Sequence, residues 1–546
     1  MTAPSGKFPG TLFLNGWCYT LDPAQPRVQG LAVSGGRILA AGDAADLRAA
    51  FPRYHAIDLE GRTVLPGLVD SHVHFLAVGL SLRLVDLQET RSLAEVVRRV
   101  GVAAAAAAPG LWVLGRGWDK NLWAEGRWPT RRDLDPVSAG HPVALSSKDG
   151  HLLWVNSAAM AAAGIGPQTP DPRGGEIVRD AAGRPTGLLK EEAKAPVHAV
   201  LARPDPPALR QALQDATAAA HRVGLVGVHD IPDPWPETFA ILQEARQSGA
   251  LGLRIWMAIP LDHLGHAVRL GLRSGLGDEW LRVGGVKVFA DGTLGSQTAS
   301  MLAPFQGQPD NTGIAIHTAA DLQDLVGRAV AAGWWPVVHA IGDRANREVL
   351  DAYELHRAAA RRTGVRFRIE HVQLLDPADL PRLAQVGVVA SMQPIHATSD
   401  RDIADRYWGG RSRTAYAWRS LARLGTVLAF GSDAPVETMD PWPGLYAAVT
   451  RCRPDDPRPP WYPEETLTIE EALRAYTVGA AIASGEEDFR GTLAPGRLAD
   501  FIVLDHDVMM EAAADPEVLL QVRVLATVIG GRAAHAAGPL AGWAGE

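Results

Sequence analysis

Through the middle of the chain, short apolar runs alternate with stretches of about 15–25 residues whose apolar positions recur at helical spacing. Eight runs read as strands: residues 67–72, 224–229, 253–258, 285–289, 336–339, 366–371, 388–392 and 426–431. Such alternation builds a parallel sheet with helices packed on it. Eight units close naturally into a TIM-type (β/α)8 barrel, so the predicted fold class is α/β. Asp343 is placed to cap a helix through Val349, Tyr353 and His356 that stops at Gly364, and Pro377 to start one that stops at Gly387.

The two ends follow another rhythm. Residues 11–14, 31–33 and 37–40 form short runs separated by the glycine turns Gly35-Gly36 and Gly61, which reads as a small antiparallel sheet. Near the other terminus, the turn-rich 491–500 leads into apolar runs at 501–504 and 522–529. Each end is too small for its own core, so residues 1–65 and 488–546 are expected to form one composite β-sandwich beside a barrel of residues 66–487. About 150 residues separate the first barrel strand from the second, far more than one crossover needs. Residues 80–215 are therefore expected to be an inserted subdomain, with strands at 111–114 and 142–146.

The 546 residues, 47% hydrophobic and 21% charged, describe a globular chain rather than a disordered or fibrous one. Basic and acidic residues, 53 and 61 in number, are spread along the whole length with a net charge of -8. No basic stripe is present, so neither nucleic acid nor an anionic membrane is an expected partner. The partner is a small-molecule substrate, with a homodimer left open as the assembly. Cys18 and Cys452 lie far apart without metal-site or disulfide spacing, and no apolar run approaches membrane-spanning length. A cytoplasmic setting is the expectation.

Polar residues inside the predicted strands carry the chemistry. The first strand runs into Asp70-Ser71-His72-Val73-His74, and alternation puts both imidazoles on one face, where they can chelate one ion. Taken alone, a His-x-His pair is often incidental. Yet His339, His371 and Ser432-Asp433 stand at the ends of strands five, six and eight, on the rim where barrel enzymes gather their reactive groups. Lys287, one of only six lysines, lies inside strand four, where an unpaired ammonium is costly. It is expected either to pair with a neighbour such as Asp291 or to be carbamylated by CO2 and bridge two metal ions. The glycines of 292–296 have the wrong spacing for a phosphate loop, and Ser146-Ser147-Lys148 is too short for a serine-acylation motif.

These segments resemble the amidohydrolase superfamily, in particular its YtcJ-like branch, which includes N-substituted formamide deformylases. The likeness rests on LPGLVDSHVHF, RGWDKNLW, KDGHLLWVNSAAM, GVKVFADGTLGSQTA, VVHAIGDRANREVLDAYE, RIEHVQLL, SMQPIHATSD, GSDAPVE and GTLAPGRLADFIVLD, spread over nearly the whole chain. One departure is Lys148, where relatives often carry Arg before Asp-Gly-His. The resemblance implies a barrel with a composite sandwich, and His72, His74, Lys287, His339, His371 and Asp433 as metal ligands. Asp433 and His371 are the implied catalytic residues, with no ligand position missing. Trp118, Asp119 and His151 of the insertion, His396 and Asp400 after strand seven, and His229 at the end of strand two are expected substrate contacts or supports, with packing roles for the histidines and tryptophans weighed beside this.

The expected cofactor is a divalent metal, zinc above all, as one ion or two, with carbamylated Lys287 as the bridge if there are two. Such an ion lowers the pKa of its water to about 7 and supplies hydroxide for attack on an amide-like carbonyl. In the mechanism that the resemblance implies, Asp433 takes the proton from the nucleophile and delivers it to the leaving nitrogen. The predicted function is hydrolysis of a non-peptide carbon–nitrogen bond in an amide or N-substituted formamide. A cyclic amide, urea, ester or phosphoester hydrolase remains the alternative on the same centre, as does a non-catalytic metal-containing binding protein.

Overall fold

The computed structural model describes residues 9–543 other than 149, 151, 173, 174, 202, 233, 234, 236 and 455. The chain divides into two compact units, one of Met1–Phe75 with Ala216–Glu546 and one of Leu76–Asp215.

The larger unit contains all eight expected strands: β1 (Leu68–Val73), β2 (Leu225–Asp230), β3 (Arg254–Pro260), β4 (Leu281–Phe289), β5 (Trp335–Ala340), β6 (Phe367–His371), β7 (Val388–Met392) and β8 (Val427–Phe430). Each pairs in parallel with its sequence neighbour. The seam between β8 and β1 is made just past the strand ends. There Asp433 N–H donates to the His72 carbonyl at 2.7 Å and His74 N–H to the Ala434 carbonyl at 2.8 Å. A parallel bridge between Val73 and Ala434 completes a nearly closed TIM-type barrel.

The connecting helices owe their stops to glycine. Asp343–Thr363 ends at Gly364, which takes φ 72°, a conformation open to a residue without Cβ. Its inner face lays Tyr353 on Phe367 of β6, rings stacked 4.2 Å apart. Two helix starts differ from expectation. Gly342 is the N-cap, and Asp343 is the first helical residue, its buried carboxylate accepting from the Leu302 amide at 2.8 Å. The following helix begins at Leu380 rather than Pro377, with Pro381 in its first turn and Gly387 at its end.

Strands from both termini share a sheet in this unit. Phe501–Leu504 runs antiparallel to Thr63–Pro66, with Val503 opposite Val64. That six-stranded sheet faces a four-stranded one built from Arg37–Gly42, Gly30–Ser34, Thr11–Leu14 and His55–Asp58. Phe13, Val33, Phe501, Val503 and Val528 fill the space between them, with Cys18 among them as a free, buried thiol. Alternation turns Ile502 the other way, onto Gly224 ahead of β2. Below it, Arg254 of β3 forms a buried two-pronged ion pair with Asp500, at 2.6 and 2.9 Å.

The smaller unit holds a six-stranded mixed sheet that includes Val113–Trp118 and Val143–Ser147. The helix Leu93–Ala106, capped by Ser92 and containing the first part of the alanine tract, packs Val96 and Val100 against Trp118, Trp123 and Trp154. Among the described residues, no helix of either unit is long and apolar enough to cross a membrane.

Candidate metal centre

The end of β1 and the turn after β8 meet at the seam, and this sets the geometry of the site. Asp70, fully buried, accepts from Ser432 Oγ at 2.5 Å and from the amides of Ser432 and His72 at 3.0 Å each. It thereby clamps the two strand ends together, at the cost of a carboxyl that burial pushes up to about 7. Next to this clamp Asp433 takes φ 59°, a left-handed backbone uncommon outside glycine and asparagine. That turn brings its Oδ1 to 3.4 Å from His72 Nε2 and 3.6 Å from His74 Nε2.

A column of polar side chains inside the barrel aims His72. Its Nδ1–H donates to Glu370 Oε2 at 2.5 Å, which leaves Nε2 as a bare lone pair facing Asp433. Glu370 is gripped in turn by Arg368 Nε, and Arg368 reaches Ser391 Oγ at 3.1 Å, the Ser71 carbonyl, and His229 Nδ1 at 2.9 Å. Burial works against the charge of Glu370, yet Arg368 and Lys287 outweigh it and hold the carboxyl below the usual glutamate range. Burial, then the charge of Lys287, drives His72 far below 6.5, so the imidazole is neutral and able to bind metal.

His371 closes β6 at φ 74° and is followed by Val372 at φ 47°. This twist turns the imidazole inward, 4.8 Å from the ring of His72 and 4.6 Å from that of His339. His371 Nδ1–H donates to Gln393 Oε1 at 2.8 Å, again leaving Nε2 open. His396, in the first turn of the helix Pro394–Trp408, lies parallel to His371 with Nε2 3.9 Å from Asp433 Oδ2 and no hydrogen-bond partner for that nitrogen among the described residues. Two sets of side chains thus hold their donor atoms within 4.8 Å of one another: His72, His74 and Asp433, and His371, His396 and Asp433.

His339 stands in neither set. Its Nε2–H donates to the Gly292 carbonyl at 3.0 Å, which fixes the tautomer and leaves Nδ1 as its lone-pair atom. Burial followed by the charge of Lys287 takes this imidazole to about 3. Lys287 is itself buried, its Nζ 4.7 Å from the Phe289 ring centroid. The alternative of a Lys287–Asp291 pair is not realised. Asp291 instead accepts from the amides of Ser300, Ile341 and Gly342 at 2.8–3.0 Å. Burial lowers the lysine to about 8.

The expected substrate contacts separate. Trp118 is a core residue of the smaller unit, 1% exposed, with its indole N–H donating to the Leu145 carbonyl at 2.8 Å. Its ring packs with those of Trp123 and Trp154, centroids 5.7 and 6.1 Å away. Asp119 follows it in that unit, half-buried, and His151 lies outside the described residues. His229, the last residue but one of β2, is buried with its ring 5.2 Å from that of Trp256. Asp400, one helical turn from His396, accepts from Tyr416 Oη at 2.5 Å. Arg368, Glu370, Asp70 and Gln393 were absent from the expected site. Polar residues two apart in a strand read as buried, Arg368 and Glu370, were the signal that marks them.

The model of the amidohydrolase family matches residues 55–535. The chain belongs to the amidohydrolase family. This amidohydrolase is 33% identical to YtcJ of Bacillus subtilis, over 95% of its own length and 98% of the relative. It is 30% identical to the N-substituted formamide deformylase of Arthrobacter pascens, over 95% and 97%. Among solved structures it is similar to an uncharacterized metal-dependent hydrolase from Pyrococcus furiosus, with TM-score 0.74 and 30% identity over 92% of this chain and 100% of that one. The amidohydrolase is accordingly a hydrolytic enzyme.

Proposed function

We propose that this amidohydrolase cleaves the carbon–nitrogen bond of a small amide or N-substituted formamide at a divalent-metal centre. The observation that carries the proposal is the convergence of His72, His74 and Asp433, two imidazoles and a carboxylate, on one point at the strand ends. The donor set fits zinc, which favours nitrogen and carboxylate ligands and an open position for water. His72, His74 and Asp433 would hold one ion; His371 and His339, through Nδ1, would hold a second, with Lys287 shared between them. An ion bound there supplies hydroxide near neutral pH and polarises the acyl oxygen.

The side chains do the rest. Glu370 and Gln393 fix the tautomers of His72 and His371, so each presents a lone pair without reorganisation. Asp433 is the proton carrier. Burial raises its carboxyl, which makes it a better acceptor for the proton of the attacking water. The same proton passes from Asp433 to the amide nitrogen as the C–N bond breaks, and the acid proton of the product passes to the released amine, so that water and amide become carboxylate and ammonium. Carbamylation of Lys287 joins Nζ to the carbon of CO2 with release of two protons, one from the ammonium and one from the nitrogen as the new bond forms, turning a buried cation with no pairing to Asp291 into a carboxylate ligand.

The test is hydrolysis of a panel of N-formyl and N-acyl amines beside cyclic amides, ureas, esters and phosphoesters, each followed by its own product, using protein loaded with zinc and bicarbonate. Turnover of the N-formyl or N-acyl amines, reduced about 10²–10⁴-fold by Asp433→Asn, is the expected result. Turnover confined to esters or phosphoesters would overturn the assignment of the bond. Elemental analysis separates the ligand sets. His339→Ala is expected to lose one of two ions and His396→Ala to retain both; the reverse would make His396 the ligand.

A further inference from the structure

The polar column that aims His72 continues downward to a group of unanswered donors. Arg368 has no lone pair to offer, so its 2.9 Å contact with His229 Nδ1 makes that nitrogen the acceptor and puts the ring proton on Nε2. His229 Nε2–H is buried and has no hydrogen-bond partner among the described residues. Neither has Trp256 Nε1–H, on a ring centred 5.2 Å from that of His229, nor Arg490 Nη2. The three side chains are 1%, 1% and 6% exposed.

Two glycines make room for them. At Gly227, which shares a strand face with His229, a Cβ would lie 2.5 Å from Arg490 Nη2; at Gly284 it would lie 1.7 Å from Trp256 Nε1. The local charge is unbalanced as well. Arg254 is matched by Asp500 and Arg368 by Glu370, but Arg490 and Arg282 share a single carboxylate, Glu486, at 2.9 and 3.6 Å.

We infer that His229, Trp256 and Arg490 form a binding site for a small monovalent anion of the halide class in the floor of the barrel. A water molecule fits these groups poorly. It can accept from two donors, not three, and its own two protons would find no free acceptor in a set made only of donors. A halide accepts from all three and cancels the surplus guanidinium charge. The site lies on the far side of Arg368 and Glu370 from the metal ligands, and it does not depend on the reaction proposed above.

Crystals of the full chain grown or soaked in bromide test the inference by anomalous diffraction. An ordered bromide peak in contact with His229 Nε2, Trp256 Nε1 and Arg490 Nη2, lost in Arg490→Gln, is expected. Water alone at that position, or no density, overturns it. A solution measurement stands beside this and needs no variant. The unfolding temperature should rise with chloride relative to gluconate at equal ionic strength, and equal values in the two salts count against the site.

Discussion

Glu370 touches no substrate, yet it decides which nitrogen His72 presents, because Nδ1–H is committed to Oε2 at 2.5 Å. Replacing it with Gln removes the charge that holds the tautomer. Glu370→Gln is expected to lower metal affinity about 10–100-fold, read by competition with a chelator, while the far-ultraviolet spectrum stays unchanged. A result within error of wild type would make Glu370 a mere partner of Arg368. At this scale the sequence is legible in part. His72, His74, His339, His371 and Asp433 stand out because each ends a strand, and strand ends can be read from apolar runs. The twist that aims them is hidden: φ 74° at His371 and 59° at Asp433 are uncommon even for the two residue types that tolerate a left-handed backbone better than most. Trp118 is conspicuous for another reason, since it stands in a matching motif and packs in the core of its own unit.

Among elements, the strands of the barrel were the most readable because burial on both faces leaves near-continuous apolar runs. The polar residues within them were less so. An Arg and a Glu two apart in β6 interrupt such a run only if the strand has already been assigned its inward face. The junction of β3 with the segment before Phe501 shows the same dependence, since Arg254 and Asp500 are 246 residues apart in sequence yet form a buried pair. Removing one partner strands the other charge inside the protein. Arg254→Ala is expected to cost about 3–5 kcal/mol in urea unfolding, and substantially more than the double replacement with apolar residues of similar volume. Equal losses for the single and double variants would show that the pair is stabilising in its own right.

For the whole molecule, buried histidines set the response to acid. His221 donates from Nε2 to the Gly252 carbonyl at 2.9 Å, and burial pulls its pKa below 6.5 despite that bond. The unfolded chain therefore binds the extra proton, so this stabilisation is complete above pH 6.5 and is lost as the pH falls below it. His229, driven down by burial and then by Arg368, acts in the same direction. Urea midpoints should decline on acidification from about pH 7 to about pH 5, with a shallower decline in His221→Gln, which keeps a donor but cannot titrate. An unchanged slope would remove His221 from the account. The barrel seam, finally, has a kinetic meaning. The amides of His74 and Asp433 both donate across it, so they exchange with solvent only when the first and last strands part. The same parting separates the two histidines from Asp433, and the exchange lifetime of those two amides counts how often the enzyme breathes its own active site apart.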